Sequence, residues 1–147
     1  MRYLGLDLGS RTLGVAISDK TGMIATSYKT IKHNEEYKRL LNDVSSIVLD
    51  EGIDAIVLGF PKNMNNTIGP KGELSLSFKK NLEDRLDIPV YLQDERLTTR
   101  EAEVVLISNN TRRNNRKKVI DSLAATIILQ SYLDKEKKLW RKIHLQW

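Results

Sequence analysis

Apolar residues alternate with small or polar ones through Leu4-Gly5-Leu6-Asp7-Leu8-Gly9, which is the period of a β-strand. The stretch Leu4–Asp19 as a whole predicts two short apolar strands joined at Gly9-Ser10. Gly22 turns the chain into a third strand, about Met23–Ile31. Asn34 is placed to cap a helix with Glu35 and Glu36 in its first turn, the favoured sign there. Tyr37, Leu40, Leu41, Val44, Ile47 and Val48 recur at helical spacing, and Gly52 ends that helix. Asp54–Phe60 is a nearly continuous apolar run, short enough for a strand covered on both faces.

Pro61–Gly72 reads as a polar loop leaving that strand, the usual place for a loop that lines a site in an α/β sheet. A second helix follows, with Leu74, Phe78 and Leu82 on one face, until Asp87 and Pro89 break it. Pro89–Glu95 is the next strand. Thr98 and Glu101 have capping-box spacing, so a third helix is expected there, with Ala102, Val105 and Leu106 on its inner face. Asn109–Arg116 is a polar, basic loop. From Lys117 a long helix runs to about Leu133 or beyond, with Ile120, Leu123, Ala124, Ile127 and Ile128 inward. Three short-linked strands imply an antiparallel meander, and strands joined by helical crossovers imply parallel pairing. The expectation is an α/β fold with a mixed sheet of five strands and helices packed on it.

Asp7 changes this picture from architecture to chemistry. It lies among residues that should be covered, and an ionised carboxylate leaves water only when paired or bound to a cation. Gly5 and Gly9 flank it and remove side-chain bulk, as close approach of a ligand requires. The stretch reads as a seat for a metal or a phosphate–metal complex, against the plainer reading of an Asp in a hairpin turn.

Composition narrows the classes. A chain of 147 residues, 40% hydrophobic, suits one domain with one core. It has no cysteine, which fits a reducing cytoplasm and removes thiolate chemistry. No apolar run reaches membrane-spanning length and no secretion signal is visible, so a cytoplasmic protein without a membrane partner is expected. The net charge of +5 is uneven. Residues 112–147 hold ten Lys/Arg against three Asp/Glu, whereas residues 1–111 hold fourteen against sixteen. A basic final third on a near-neutral body points to a polyanionic partner, or to a merely solvated face.

Two further acids join Asp7. Glu95 ends the last strand, and Asp121 lies inside the long apolar helix, where Lys117 at (i, i+4) spacing offers it an alternative structural partner. If Asp7, Glu95 and Asp121 converge, their hard oxygens suit Mg²⁺ or Mn²⁺, and two such ions activate water and stabilise a leaving oxygen in phosphodiester hydrolysis. Asp94 neighbours Glu95 but should face the other way. Asp19 reads as a turn residue. His33 and His144 read as surface residues.

Arg11 and Arg96 are placed to contact phosphate or to support the acids. Arg112, Arg113, Arg116, Lys117 and Lys118 form a cluster beside Asp121 of the kind that gives affinity without reading sequence. The basic tail, residues 134–147, carries Leu139, Trp140, Ile143 and Trp147 along one side. This stripe either docks on the body or stacks on single-stranded bases. No Ser/His/Asp arrangement and no Walker-type loop is present in the sequence.

Four blocks together resemble the YqgF/RuvX family of ribonuclease-H-like proteins, described as Holliday junction resolvases and as pre-ribosomal-RNA nucleases. They are the N-terminal stretch, Gly59-Phe60-Pro61 with Gly69-Pro70, Asp94-Glu95-Arg96-Leu97-Thr98-Thr99, and Lys117-Lys118-Val119-Ile120-Asp121 with Ala124-Ala125. The resemblance covers the chain to about Leu133 and implies a ribonuclease-H-like domain over residues 1–133, with helices on both faces of the sheet. It implies a metal-dependent nuclease acting in 5′-end maturation of pre-16S rRNA, or alternatively a Holliday junction resolvase. Asp7, Glu95 and Asp121 match the family's catalytic acids. The fourth strand ends in Gly59-Phe60-Pro61 without an acid, so Glu95 has to reach in from one strand further out. The expected protein is a monomer, with a dimer as the alternative if a junction is the substrate. Gly5-Leu6-Asp7-Leu8-Gly9 with Gly14-Val15-Ala16 also resembles the first phosphate loop of actin-like ATPases and sugar kinases, but one domain leaves no room for their second half. A non-catalytic RNA-binding assembly factor is the third reading.

Overall fold

A computed structural model describes residues 1–63, 65, 67–95 and 116–144; the side chains of residues 116–121 lie outside the description. The elements run β1 (Tyr3–Leu8), β2 (Thr12–Ser18), β3 (Ala25–Lys32), α1 (Tyr37–Glu51), β4 (Ala55–Phe60), α2 (Pro70–Arg85), β5 (Val90–Asp94) and α3 (Arg116–His144). The five strands form one sheet in the order β3-β2-β1-β4-β5. β1, β2 and β3 pair antiparallel, while β4 pairs parallel to both β1 and β5. The meander and the two helical crossovers read from the sequence are thus both present. Among the described residues no helix is long and apolar enough to cross a membrane.

Strand alternation sorts the core into two layers. Leu4, Leu6, Ile56 and Leu58 pack with Leu40, Val44, Phe78 and Leu82 on the face covered by α1 and α2. Ala16, Val57, Ala125, Ile128 and Leu129 pack on the opposite face, under α3. Gly5, Asp7 and Gly59 share the parity of that second face. The α3 face is built of small residues on the sheet side, which lets the helix settle close.

Several boundaries differ from the sequence reading, each for a local reason. β3 begins at Ala25, not Met23, because Asp19 Oδ1 accepts the backbone N–H groups of both Met23 and Ile24 and keeps them in the turn. Thr21 also donates to Asp19, and these bonds hold its carboxyl down at about 2. Asp19 is therefore a turn residue, as read. Asn34 does not cap α1: the N-cap is Glu36 without a side-chain cap bond, and no acid occupies the first turn. The cause is His33, whose Nδ1 accepts the N–H of Glu35 at 3.1 Å and turns the chain there, with Glu35 at φ 58. Gly52 does end α1 in the left-handed conformation, its N–H donating to the Val48 carbonyl.

α2 starts at Pro70, inside the expected loop, because proline at the first helical position brings its φ preset. The helix expected from Thr98 and the loop expected at Asn109–Arg116 lie outside the described residues, apart from the backbone of Arg116. α3 continues without interruption past Leu133 to His144, largely buried from Ala125 to Leu133 and largely exposed beyond it; Ala124, read as inward, is exposed.

Candidate active site

β4 lies between β1 and β5, so a residue at the end of β5 meets Asp7 only by crossing over β4. Glu95 does so, directly after β5, and its carboxyl shares a hydrogen bond with that of Asp7. The crossing is possible because residue 59 is glycine: a Cβ built there would lie 2.8 Å from Glu95 Oε1 and 2.7 Å from Ile128 Cδ1. The acid missing from the end of β4 is thus replaced by a gap through which the acid of β5 passes.

The pair is electrostatically loaded. Burial pushes the Glu95 carboxyl up to about 7, the negative charge of Asp7 and its hydrogen bond add to the rise, and Lys71 opposes it. Lys71 stands on the first turn of α2, exposed, and was not among the residues the sequence pattern singled out. Its signal was its position just after Gly69-Pro70, where α2 starts. Two half-buried carboxyl groups in hydrogen-bond contact are a donor set of hard oxygens on which a proton or a divalent cation relieves repulsion. The residues present therefore fit a divalent cation.

The course of α3 brings the backbone of Asp121 toward the same end of the sheet. The Ser122 hydroxyl hydrogen-bonds that of Ser27, and Gln130 Oε1 accepts the Ala25 N–H at 2.8 Å. Contacts therefore move backward along β3 as α3 advances. β3 and β1 point the same way, each antiparallel to β2. The start of α3 accordingly lies toward the carboxyl end of β1, the end that carries Asp7. Gly5 sets the closeness, since a Cβ there would be 2.7 Å from Leu129 Cβ and 3.1 Å from the Ala125 carbonyl oxygen. Asp121 is one turn before Ala125 in this helix. Its side chain, and with it the suggested pairing with Lys117, lies outside the described residues.

The remaining candidates divide plainly. Arg11 is exposed in the β1–β2 turn, at the Asp7 end of the sheet. Arg96, Arg112 and Arg113 lie outside the described residues, as do the side chains of Arg116, Lys117 and Lys118. His33 corrects the sequence reading: it is buried, not a surface residue. Its Nε2 donates to the Gly9 carbonyl at 2.9 Å while Nδ1 accepts from Glu35, so it staples the β1–β2 turn to the start of α1. The signal was available in the strand parity it shares with Ile31, also buried. His144, by contrast, is exposed, as read.

The chain matches the RuvX family, described as Holliday junction resolvase, over residues 1–135. It is 56% identical over 135 residues to a Bacillus subtilis protein named "Putative pre-16S rRNA nuclease", covering 91% of this chain and 98% of that one. A Listeria monocytogenes protein of the same name is 52% identical over the same coverage. Among solved structures, Thermus thermophilus RuvC in complex with Holliday junction substrate superposes with a TM-score of 0.65 at 14% identity, covering 92% of this chain and 96% of that one. The yeast mitochondrial Holliday junction resolvase, Ydc2, superposes with a TM-score of 0.53 at 12% identity, covering 98% and 83%. With its acids at the carboxyl edge of a ribonuclease-H-like sheet and this match along nearly its whole length, the chain belongs to the RuvX family of nucleases.

Proposed function

We propose that the protein hydrolyses phosphodiester bonds in a metal-dependent reaction, with a single-stranded segment of the 16S ribosomal RNA precursor as substrate. The observation that carries this reading is the Asp7–Glu95 carboxyl pair, formed across Gly59. Asp7 and Glu95, with Asp121, are the residues that would hold Mg²⁺ or Mn²⁺. The bound ion would supply charge stabilisation at the scissile phosphate and lower the pKa of water. Lys71 and Arg11 lie at the same end and would hold substrate phosphate oxygens. Arg96 and the cluster Arg112, Arg113, Arg116, Lys117 and Lys118 would extend that contact along the backbone of the strand.

RNA is preferred to junction DNA because relatives above 50% identity carry the ribosomal RNA name, whereas the junction-bound neighbour stands at 14%. A single acidic centre on one chain also suits a single strand, while symmetric junction cutting calls for a two-fold pair of sites. The protein is accordingly proposed to act as a monomer in the cytoplasm.

The test is cleavage of 16S precursor RNA, single-stranded RNA and a four-way DNA junction by purified protein with Mg²⁺ or Mn²⁺. Wild type should cut the precursor, and Asp7→Asn should lose about two to three orders of magnitude in rate while still binding RNA, because an amide cannot replace an anionic ligand. Paired nicks in the junction by a stable dimer, with precursor RNA intact, would overturn the choice of substrate. Undiminished cleavage by Asp7→Asn would overturn the site.

A further inference from the structure

The last part of α3 projects beyond the core. Buried positions end at Leu133, and Leu139, Trp140 and Ile143 are 50%, 60% and 55% exposed. The family match ends at residue 135, and the Bacillus subtilis relative aligns over 135 residues that make up 98% of its length. The helical residues after 135 are therefore an addition to what these relatives share. They do not dock flat on the body. They overhang the start of β1 and the β2–β3 turn, leaving a groove of about 660 Å³ lined by Met1, Tyr3, Met23, Leu139, Trp140 and Ile143.

Two features say what fits there. First, the groove is flanked by cations: Lys137 and Arg141 line it beside Glu136 and Trp140, and neither makes an ion pair among the described residues, while Lys135, Lys138 and Lys142 are exposed elsewhere on the overhang. Second, Trp140 stacks on His144 with ring centroids 4.3 Å apart and planes 16° apart, a preformed aromatic platform in the open. Exposed cations alone describe a solvated helix, and exposed apolar residues alone describe a protein interface. Together they match a polyanion with flat apolar faces. A second copy fits poorly, because isologous pairing would set the cations of one overhang against those of the other.

We propose that this overhang is a second nucleic-acid contact, at which unpaired bases of single-stranded RNA stack on Trp140 while Lys137 and Arg141, which line the same groove, hold the adjoining phosphates. The inference rests on the reading of the chain as a nuclease of single-stranded RNA. It adds where the flanking strand is held. From Asp121 to Trp140 α3 runs about 28 Å at about 1.5 Å per residue, so the contact selects substrates with a long unpaired flank.

The chain has two tryptophans, so Trp147→Phe leaves Trp140 as the sole indole reporter. Full-length Asp7→Asn/Trp147→Phe protein is titrated with a 20-residue oligouridylate, following indole fluorescence and, separately, the anisotropy of an end-labelled oligonucleotide. Saturable quenching is expected at the same midpoint as the anisotropy change. Trp140→Ala should weaken binding at least about fivefold, with Trp140→Phe restoring most of it. Replacing Lys137 and Arg141 with Gln should flatten the salt dependence by about 1.4 units, at about 0.7 per phosphate contact. Binding by anisotropy without quenching, or with unchanged affinity in Trp140→Ala, would overturn this contact and leave the nuclease reading standing. No binding by either signal would overturn both. A concentration-dependent dimer abolished by Trp140→Ala, or an indole blue shift on phosphatidylglycerol vesicles but not on RNA, would also overturn it.

Discussion

Glu95 Oε1 occupies the space that a side chain on residue 59 would need, 2.8 Å from where the Cβ of such a residue would stand. The glycine on β4 is thus part of the site without touching substrate. Gly59→Ala should displace the Glu95 carboxyl from Asp7 and lower the cleavage rate by about 100-fold, the scale of misplacement by about 1 Å. The Ile128 side chain end, 2.7 Å from the same point, is free to rotate away, so the fold should survive. Cleavage rate and thermal midpoint measured together check this, and a full rate in the folded variant would mean Glu95 tolerates the shift.

The same pair makes stability depend on pH. The Glu95 carboxyl stands near 7 in the folded protein against 4.5 ordinarily, because burial and then Asp7 disfavour its charge. Between those values the folded state binds more protons than the unfolded chain, so stability falls as pH rises through the window. Glu95→Gln removes that loss: it should melt higher than wild type at pH 8 without divalent ions, and the gap should close below pH about 4.5. Adding Mg²⁺ or Mn²⁺ at pH 8 should raise the wild-type midpoint and leave the variant nearly unmoved. Equal metal-induced shifts in both would take Glu95 out of the ligand set.

His33 ties two turns with one ring, to Gly9 through Nε2 and to Glu35 through Nδ1. His33→Ala leaves a carbonyl and an N–H without their buried partner, at a cost of about 1–3 kcal/mol. The loss should be local first. Amide exchange should accelerate at Gly9–Thr12 and Glu35–Tyr37 more than in β4, as read by hydrogen exchange. Uniform acceleration would show that the histidine is only core filling.

Strand parity and helix spacing carried most of the architecture. Leu4 and Leu6 against Gly5 and Asp7 already separate the two faces of β1, and Gly52 ends α1 as its position implied. What escaped depends on atoms distant in sequence or on competing local bonds. Asn34 has the composition of a cap, but His33 takes the Glu35 N–H first. Met23 has the composition of a strand, but Asp19 keeps its N–H in the turn. The reach of Glu95 was legible only as a requirement, from the acid missing beside Gly59. That glycine's empty side meets the demand only once strand order places β4 between the two acids. Lys71 had only its place just after Gly69-Pro70 as a signal, because its importance comes from where α2 starts relative to β5, a three-dimensional fact.

Gly5 offers the sharpest separation of fold from site. A Cβ there would stand 2.7 Å from Leu129 Cβ and 3.1 Å from the Ala125 carbonyl oxygen. Both belong to the body of α3, and neither rotates away, so Gly5→Ala must push the helix off β1. Such overpacking costs about 1–3 kcal/mol. The same displacement carries Asp121, one turn before Ala125, away from the carboxyl end of β1. Gly52→Ala is the control: nothing lies within 4 Å of its Cβ, but its φ of 62° makes alanine cost about 1–2 kcal/mol. The two variants should thus lose comparable stability by denaturant titration. Only Gly5→Ala should also lose cleavage, by tenfold or more (on the order seen when a catalytic group moves by a fraction of an ångström). If both cut at the wild-type rate while folded, the position of α3 on β1 does not govern the reaction, and Asp121 leaves the catalytic set.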